Sequence, residues 1–177
     1  NIKSYALAHS GEVMAERNPY LHQCFHEFKH QYLDTTYFIS TKVLNGYYQA
    51  MADSDIKNKY GNRIKVRYLG SIKNSNMLNP DKTGDYFELL SCSRIDANKR
   101  LDSIISALKK WDGVPIRWTH IGTGVMENDV KAHAQELMSI NPRVKVHFTG
   151  RIDNSDVIRY YAEKHVDLFL NVSKSEG

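Results

Sequence analysis

Phe87-Glu-Leu-Leu-Ser-Cys-Ser93, Arg94-Ile-Asp-Ala-Asn-Lys-Arg100 and Leu101-Asp-Ser-Ile-Ile-Ser-Ala-Leu108 follow one another directly. The first run has the length and apolar content of a buried strand. The second is polar and reads as a loop. In the third, Leu101, Ile104, Ile105 and Leu108 recur at helical spacing, which predicts a helix from Leu101 to Trp111. The same order then repeats. Ile116 to Ile121 predicts a strand, Gly122-Thr-Gly124 a turn, and Val125 to Ile140 a helix ended by Asn141-Pro142. Val144 to Phe148 predicts a third strand, followed by Thr149-Gly-Arg151, and Asp153 or Asn154 caps a helix running to about Lys164. Strands alternating with helices make βαβ units, hence a parallel sheet with right-handed crossovers. The expected class is α/β with Rossmann-like parallel sheets.

The closing stretch extends the pattern. Val166-Asp-Leu-Phe-Leu170 has the length of a buried parallel strand, and Asn171-Val-Ser-Lys-Ser-Glu-Gly177 follows it. Ligands of open α/β sheets sit at the carboxyl ends of the strands. Ser173, Ser175, Glu176 and Gly177 are therefore expected at a ligand cleft. A domain does not normally end at the lip of its own site, so the chain reads as a fragment.

These blocks carry a family resemblance. The run from Ser91 to Leu108 resembles the opening of the donor-binding domain in family 4 glycosyltransferases. His120-Ile-Gly-Thr-Gly124, Val146-His-Phe-Thr-Gly150 and Ser173-Lys-Ser-Glu-Gly177 resemble that family's later signatures, in the same order. Each block is weak alone; four in order, each at a strand's end, make a specific signal. The resemblance covers Phe87 to Gly177 and implies a truncated two-domain GT-B enzyme. Residues 1–75 would be the C-terminal part of the acceptor-side domain, 76–85 a linker, and 86–177 the nucleotide-sugar donor-binding domain, cut at its C-terminus. The implied activity is transfer of a hexose from a nucleoside-diphosphate sugar, of UDP or GDP type, to a glycan or lipid-linked acceptor. Configuration is retained and no metal or other cofactor is required. The wording from Leu170 to Gly177 resembles bacterial polysaccharide-assembly enzymes, which implies a cytoplasmic location with peripheral contact at the inner membrane face. A chain with both domains incomplete is expected to be inactive alone.

The residues support such chemistry independently. A departing diphosphate gains charge in the transition state, and fixed cations lower its energy. Arg94 and Lys99 bracket one strand-to-helix loop, and the helix beginning near Lys99 adds its N-terminal dipole. Arg100 is adjacent and can replace Lys99. The resemblance assigns the same roles to the matching arginine and lysine. It also places Glu176 against the donor sugar and Arg151 and Ile152 where main chain meets the base. Gly177 allows close backbone approach, whereas Ser173 and Ser175 are ligand contacts or turn formers. Gly122, Gly124 and Gly150 are turn glycines whose backbone can approach the nucleotide or sugar. Gly122-Thr-Gly124 is no dinucleotide fingerprint, because a third glycine is missing at the needed spacing.

The first half is plainer. Tyr5 to Ala8 ends a strand followed by His9-Ser-Gly11, and the resemblance places His9 at the reaction centre. Tyr20 to Tyr32 reads as a helix. Thr36 to Ile39 reads as a strand, capped by Ser40-Thr41 before a helix from Lys42 to about Ala52. Ile64 to Tyr68 alternates as a half-exposed strand, and Lys73 to Gly84 has linker composition. His26-Glu-Phe-Lys-His30 matches the zinc-hydrolase pattern on a helix, with His22 one turn earlier. Two histidines four apart can hold one metal while Glu27 activates water. No third ligand follows at a suitable distance, and the competing reading is a solvated face with Phe25, Phe28 and Tyr32 turned inward. A non-catalytic nucleotide- or sugar-binding module on the same fold is the other alternative, since fold does not fix function.

Composition bounds the rest. The 177 residues, 41% hydrophobic, can bury one good core or two small ones. A net charge of +4 with scattered cations does not indicate a nucleic-acid partner. Arg63, Lys65, Arg67 and Lys73 come nearest to a patch, suited to an anionic membrane or acidic substrate, or simply to water. Cys24 and Cys92 fall in different halves and suggest no disulfide framework. No apolar run reaches the length of a membrane-spanning helix.

Overall fold

The computed structural model describes residues 3–8, 26–51, 55–70 and 80–174. The chain divides into two compact units, residues 1–72 and 73–176. The first unit contains β1 (Tyr5–Ala8), α1 (His26–Tyr32), β2 (Thr35–Phe38), α2 (Thr41–Ala50), α3 (Ile56–Tyr60), a 3-10 turn (Gly61–Arg63) and β3 (Ile64–Val66). Its strands are parallel in the order β1-β2-β3. Ser40 starts α2 from an extended backbone, and its hydroxyl accepts the Val43 N–H at 3.2 Å. Ala8, Phe38, Val43, Tyr47, Ile56 and Ile64 form the core.

Two expectations for this unit fail. The third strand ends at Val66 rather than Tyr68, although the Arg67 N–H still reaches the Phe38 carbonyl. On α1 the aromatic residues do not turn inward: Phe28 and Tyr32 are 59% and 63% exposed and stack on each other. His30 takes the inward position. Its Nε2 lies 2.8 Å from the Tyr47 hydroxyl and its Nδ1 3.2 Å from Thr36 Oγ1. Burial, with Lys29 adding, lowers its pKa. A buried polar ring is tolerated when its atoms are paired, and these partners make histidine the residue that fits. Arg63 caps the end of α1 by donating to the His30 and Gln31 carbonyls. Part of the expected Tyr20–Tyr32 helix and most of the Lys73–Gly84 linker lie outside the described residues, as do Cys24 and Lys73.

The second unit contains β4 (Phe87–Cys92), α4 (Leu101–Lys109), β5 (Ile116–Ile121), α5 (Glu127–Ile140), β6 (Val144–Gly150), α6 (Asn154–Glu163) and β7 (Leu168–Phe169). All four strands are parallel, in the order β6-β5-β4-β7. Leu101, Ile104, Ile105 and Leu108 place one face of α4 in the core, with Trp118, Val130, Ala134, Leu137 and Val144. β5 is central, and every residue in it except Arg117 is buried. Asn141 closes α5, and its amide nitrogen donates to the Leu108 and Trp111 carbonyls, satisfying the end of α4 as well.

Here too the structure corrects the sequence. β6 continues through Thr149 to Gly150. Asp153 precedes α6 in extended backbone, but its side chain makes no capping bond. The closing strand is two residues long, half exposed rather than buried, and pairs with β4 only at Leu89–Leu168 and Leu90–Phe169. Among the described residues it is the edge of the sheet, with no neighbour beyond it.

Candidate functional site

The strand order reverses once. From β4 the chain steps outward to β5 and β6, then returns to lay β7 on the other side of β4. The crevice outside the carboxyl ends at such a reversal is where open α/β sheets bind ligands. The loop after β4 and the segment after β7 meet there. Arg100 Nε donates to the Val172 carbonyl at 2.8 Å, and the Lys174 N–H donates to the Asn98 carbonyl at 2.7 Å. The loop after β5 joins from the other side: Ile95 N–H bonds Thr123 O, Met126 N–H bonds Ile95 O, and Gly122 N–H bonds Gly150 O.

Arg94 stands where these connections are densest. Its neighbour Ser93 donates its N–H to the Ile121 carbonyl at 3.0 Å and receives His120 Nε2 on its carbonyl at 3.2 Å. The Arg94 side chain is 83% exposed, and its guanidinium pairs with Asp96 Oδ2 at 2.9 Å. Asp96 Oδ1 accepts the N–H groups of Asn98 and Lys99 at 3.0 and 3.2 Å, so one carboxylate shapes the turn and steadies the arginine. A cavity of about 220 Å³ opens beside them, lined by Arg94, Asp96, Gly124 and Val125. Val125, 93% exposed, presents an apolar side chain there. Lys99 lies half-buried in the same loop.

Arg100, the alternative cation of the loop, also has a structural tie of its own. Its backbone is left-handed, φ 49°, at the start of α4, and its Nε is committed to the segment after β7. It ties two loops together.

The glycines also have a more specific role than turn making. At Gly122, φ is 138°, and a Cβ would lie 2.0 Å from the Ser93 carbonyl oxygen; at Gly124 it would lie 2.2 Å from that of Ile95. The close approach they permit is therefore to the loop after β4. Gly150 ends β6 at φ 72° with open space around it.

The remaining candidates divide. Arg151 is exposed and Ile152 half-buried at the end of β6. Ser173 acts as a turn former: both its N–H and its hydroxyl donate to Asn171 Oδ1. His9, Ser175, Glu176 and Gly177 lie outside the described residues, as do the side chains of His26 and Glu27. The zinc reading loses His30, which is buried with both ring nitrogens engaged. No group of three metal-ligating side chains occurs among the described residues.

Sequence reading missed Asp96 and the buried trio behind it. Ser91, Trp118 and His120 are fully enclosed: Trp118 Nε1 donates to Ser91 Oγ at 2.9 Å, and Ser91 Oγ lies 2.8 Å from His120 Nδ1. Burial pushes the His120 pKa down to about 4, partly offset by the Ser93 carbonyl and Glu127. The available signal was a histidine and a serine at matching positions of two adjacent buried strands, Ser91 opposite His120 in register.

No family model matches the sequence, and no curated protein is similar to it at the sequence level. Solved structures are. The chain is similar to the lipopolysaccharide outer core galactosyltransferase WaaB in its apo form (TM-score 0.56, 23% identity, 82% of this chain and 38% of that one). It is similar to Anabaena HepE in complex with UDP and glucose (0.63, 16% identity, 98% and 47%). It is also similar to a TarM variant of S. aureus in complex with fondaparinux, α-GlcNAc-glycerol and UDP (0.58, 11% identity, 97% and 32%). The chain spans less than half the length of each. At these identities the likeness shows the fold, the α/β architecture with parallel sheets of GT-B glycosyltransferases. Among the described residues no helix is long and apolar enough to cross a membrane.

Proposed function

We propose that this chain is part of a retaining hexosyltransferase of the family 4 type. In this reading it binds a nucleoside-diphosphate sugar at the reversal point between β4 and β7. The observation that carries the reading is the exposed Arg94 guanidinium, borne on a backbone held on both sides by the end of β5 and the loop after it. Structural neighbours crystallised with UDP add support. The bond from the anomeric carbon to the diphosphate oxygen breaks, and a hydroxyl of a glycan or lipid-linked acceptor forms the new one, its proton passing to the departing diphosphate. Charge developing on the diphosphate is met by Arg94, with Lys99 in the same loop, in a role that needs no metal. Glu176 orients the sugar, and His9 faces the reacting centre.

The test is calorimetric titration of the chain with UDP, GDP and the free nucleosides, in wild type and Arg94→Ala. A charge-assisted contact contributes about 1.5–3 kcal/mol, so diphosphate affinity should fall by about 10- to 100-fold while nucleoside affinity barely changes. Equal losses for both ligands would remove the phosphate role. Binding without sugar transfer, even in a longer chain carrying both domains, would favour a non-catalytic binding module.

A further inference from the structure

We propose that His120 is a positioning residue for the donor-facing loop, holding the Ser93 carbonyl and so fixing where Arg94 is presented. This rests on the donor-site reading above, and nothing in that reading requires it. The hydrogen-bond partners determine the state of the ring. Ser93 O can only accept, so the Nε2 that faces it at 3.2 Å carries a proton. Burial keeps the ring neutral, so Nδ1 is an acceptor. The Ser91 hydroxyl, 2.8 Å away, therefore donates to it. The lone pairs of that hydroxyl receive the Trp118 indole N–H at 2.9 Å. Indole, hydroxyl, imidazole and carbonyl form a single directed chain with every polar atom used.

The chain ends at the backbone beside Arg94. Ser93 is held at its N–H by Ile121 and at its carbonyl by His120, and Gly122 packs against that oxygen too closely to admit a side chain. On the far side, Ile95 is held at both its N–H and its carbonyl by Thr123 and Met126. Arg94 is the single residue between two pinned neighbours, with its side chain pointing to water. Pinning the backbone pre-organises the guanidinium, which lowers the ordering cost of meeting an anion. An apolar residue would fill the interior of β5 without needing partners. The polar network instead puts a directed donor on one particular carbonyl.

The experiment combines two variants with a measurement on the wild-type chain. His120→Phe fills the space without donor or acceptor; His120→Gln can still extend an amide N–H towards Ser93. In the wild type, ring nitrogen NMR should report the Nε2–H tautomer, with the ring neutral from neutral pH down to near pH 4. In ligand-free His120→Phe, the amides of Ser93, Arg94 and Ile95 should lose order by nitrogen relaxation while Leu89 and Leu90 do not, and His120→Gln should restore them. The ratio of UDP to uridine affinity should fall about threefold to tenfold in the Phe variant and recover in the Gln variant. A wild-type ring in the Nδ1–H form overturns the proposal even if neither variant folds. Unchanged order at Ser93 to Ile95 in His120→Phe overturns it as well. If the wild type binds UDP no better than uridine, the donor-site reading fails, while tautomer and relaxation still decide the positioning role.

Discussion

Alanine at Gly122 should be among the most damaging small substitutions in the second unit, because it carries two separable penalties. The first is conformational: φ is 138°, where an L residue costs about 1–3 kcal/mol. The second is steric: the new Cβ would sit 2.0 Å from the Ser93 oxygen, where real contacts stay beyond 3.0 Å. Ser93 can yield only by giving up His120, which leaves a half-buried carbonyl short of its partner at about 1–3 kcal/mol. The total, about 2–6 kcal/mol, corresponds to a fall in Tm of at least about 10 °C for a unit of this size. Three glycines separate the terms. Gly124→Ala is a clash without the unusual φ, against Ile95. Gly84→Ala is strain without a clash, φ 101° with nothing within 4 Å, costing about 1–2 kcal/mol. Gly61→Ala meets neither, at φ −57° in open space. The assay is urea and thermal unfolding followed by tryptophan fluorescence. Both tryptophans of the chain, Trp111 and Trp118, lie in the second unit, so the signal reports that unit alone. Gly61→Ala, in the other unit, should leave the transition in place. If Gly122→Ala shifts it no further than Gly84→Ala, tight packing of the two loops does not hold Ser93, and the clamp on Arg94 fails with it.

Two further outcomes are expected. His165 donates from Nδ1 to the Pro80 carbonyl at 2.7 Å and from Nε2 to Asp167 at 3.0 Å; the Asp167 bond first, then the carbonyl, raises its pKa. Its stabilisation is full below the unfolded value near 6.5 and lost as pH rises through the higher folded value. Asp167, held below the usual carboxylate range chiefly by the Glu88 N–H, contributes above about 4 and loses that contribution as pH falls through its folded value. His120, with its lowered pKa, acts in the opposite sense to His165 and destabilises below about 6.5. The difference in urea midpoint between wild type and His165→Gln should therefore shrink between pH 6 and pH 8, and a constant difference would show that the charged His165 contributes nothing through Asp167 and Pro80. Asp96→Ala removes the carboxylate acceptor of two loop N–H groups and should cost about 1–2 kcal/mol. Asp96→Asn keeps an acceptor and loses only the Arg94 pair, less than about 1 kcal/mol for so exposed a partner; equal losses in denaturant titration would show that the ion pair, not the turn, dominates.

The elements of the second unit were legible where periodicity is strong. Leu101, Ile104, Ile105 and Leu108 announce α4, and all four are buried; Ile116 to Ile121 is the strand read from the sequence. The strand order was not legible, because nothing local in Val166 to Leu170 says on which side of β4 it will lie. An apolar run at an edge and one at a centre look alike, which is why β7 was expected to be buried. His30 and Phe28 exchanged their expected places because hydrophobicity ranks side chains singly. Tyr47 and Thr36, distant in sequence, supply what makes burying the histidine favourable. Around the candidate site, Arg94 and Lys99 could be named from charge and loop position. Asp96, His120 and the restraint imposed by Gly122 and Gly124 depend on which loops touch, and so does the tie from Arg100 to Val172.

The sheet also implies a gradient of amide protection. β5 is enclosed on both sides, whereas α6 buries no residue and β7 is short and half exposed. Hydrogen exchange should be slowest at the centre and fastest towards α6 and β7, since local opening costs least where little is buried. The tie between Arg100 and Val172 runs across that gradient, from the quiet part of the unit to the part that opens first. A ligand seated at the reversal point would touch both. Its arrival would therefore be felt most as slower exchange on the β7 side, where there is order left to gain.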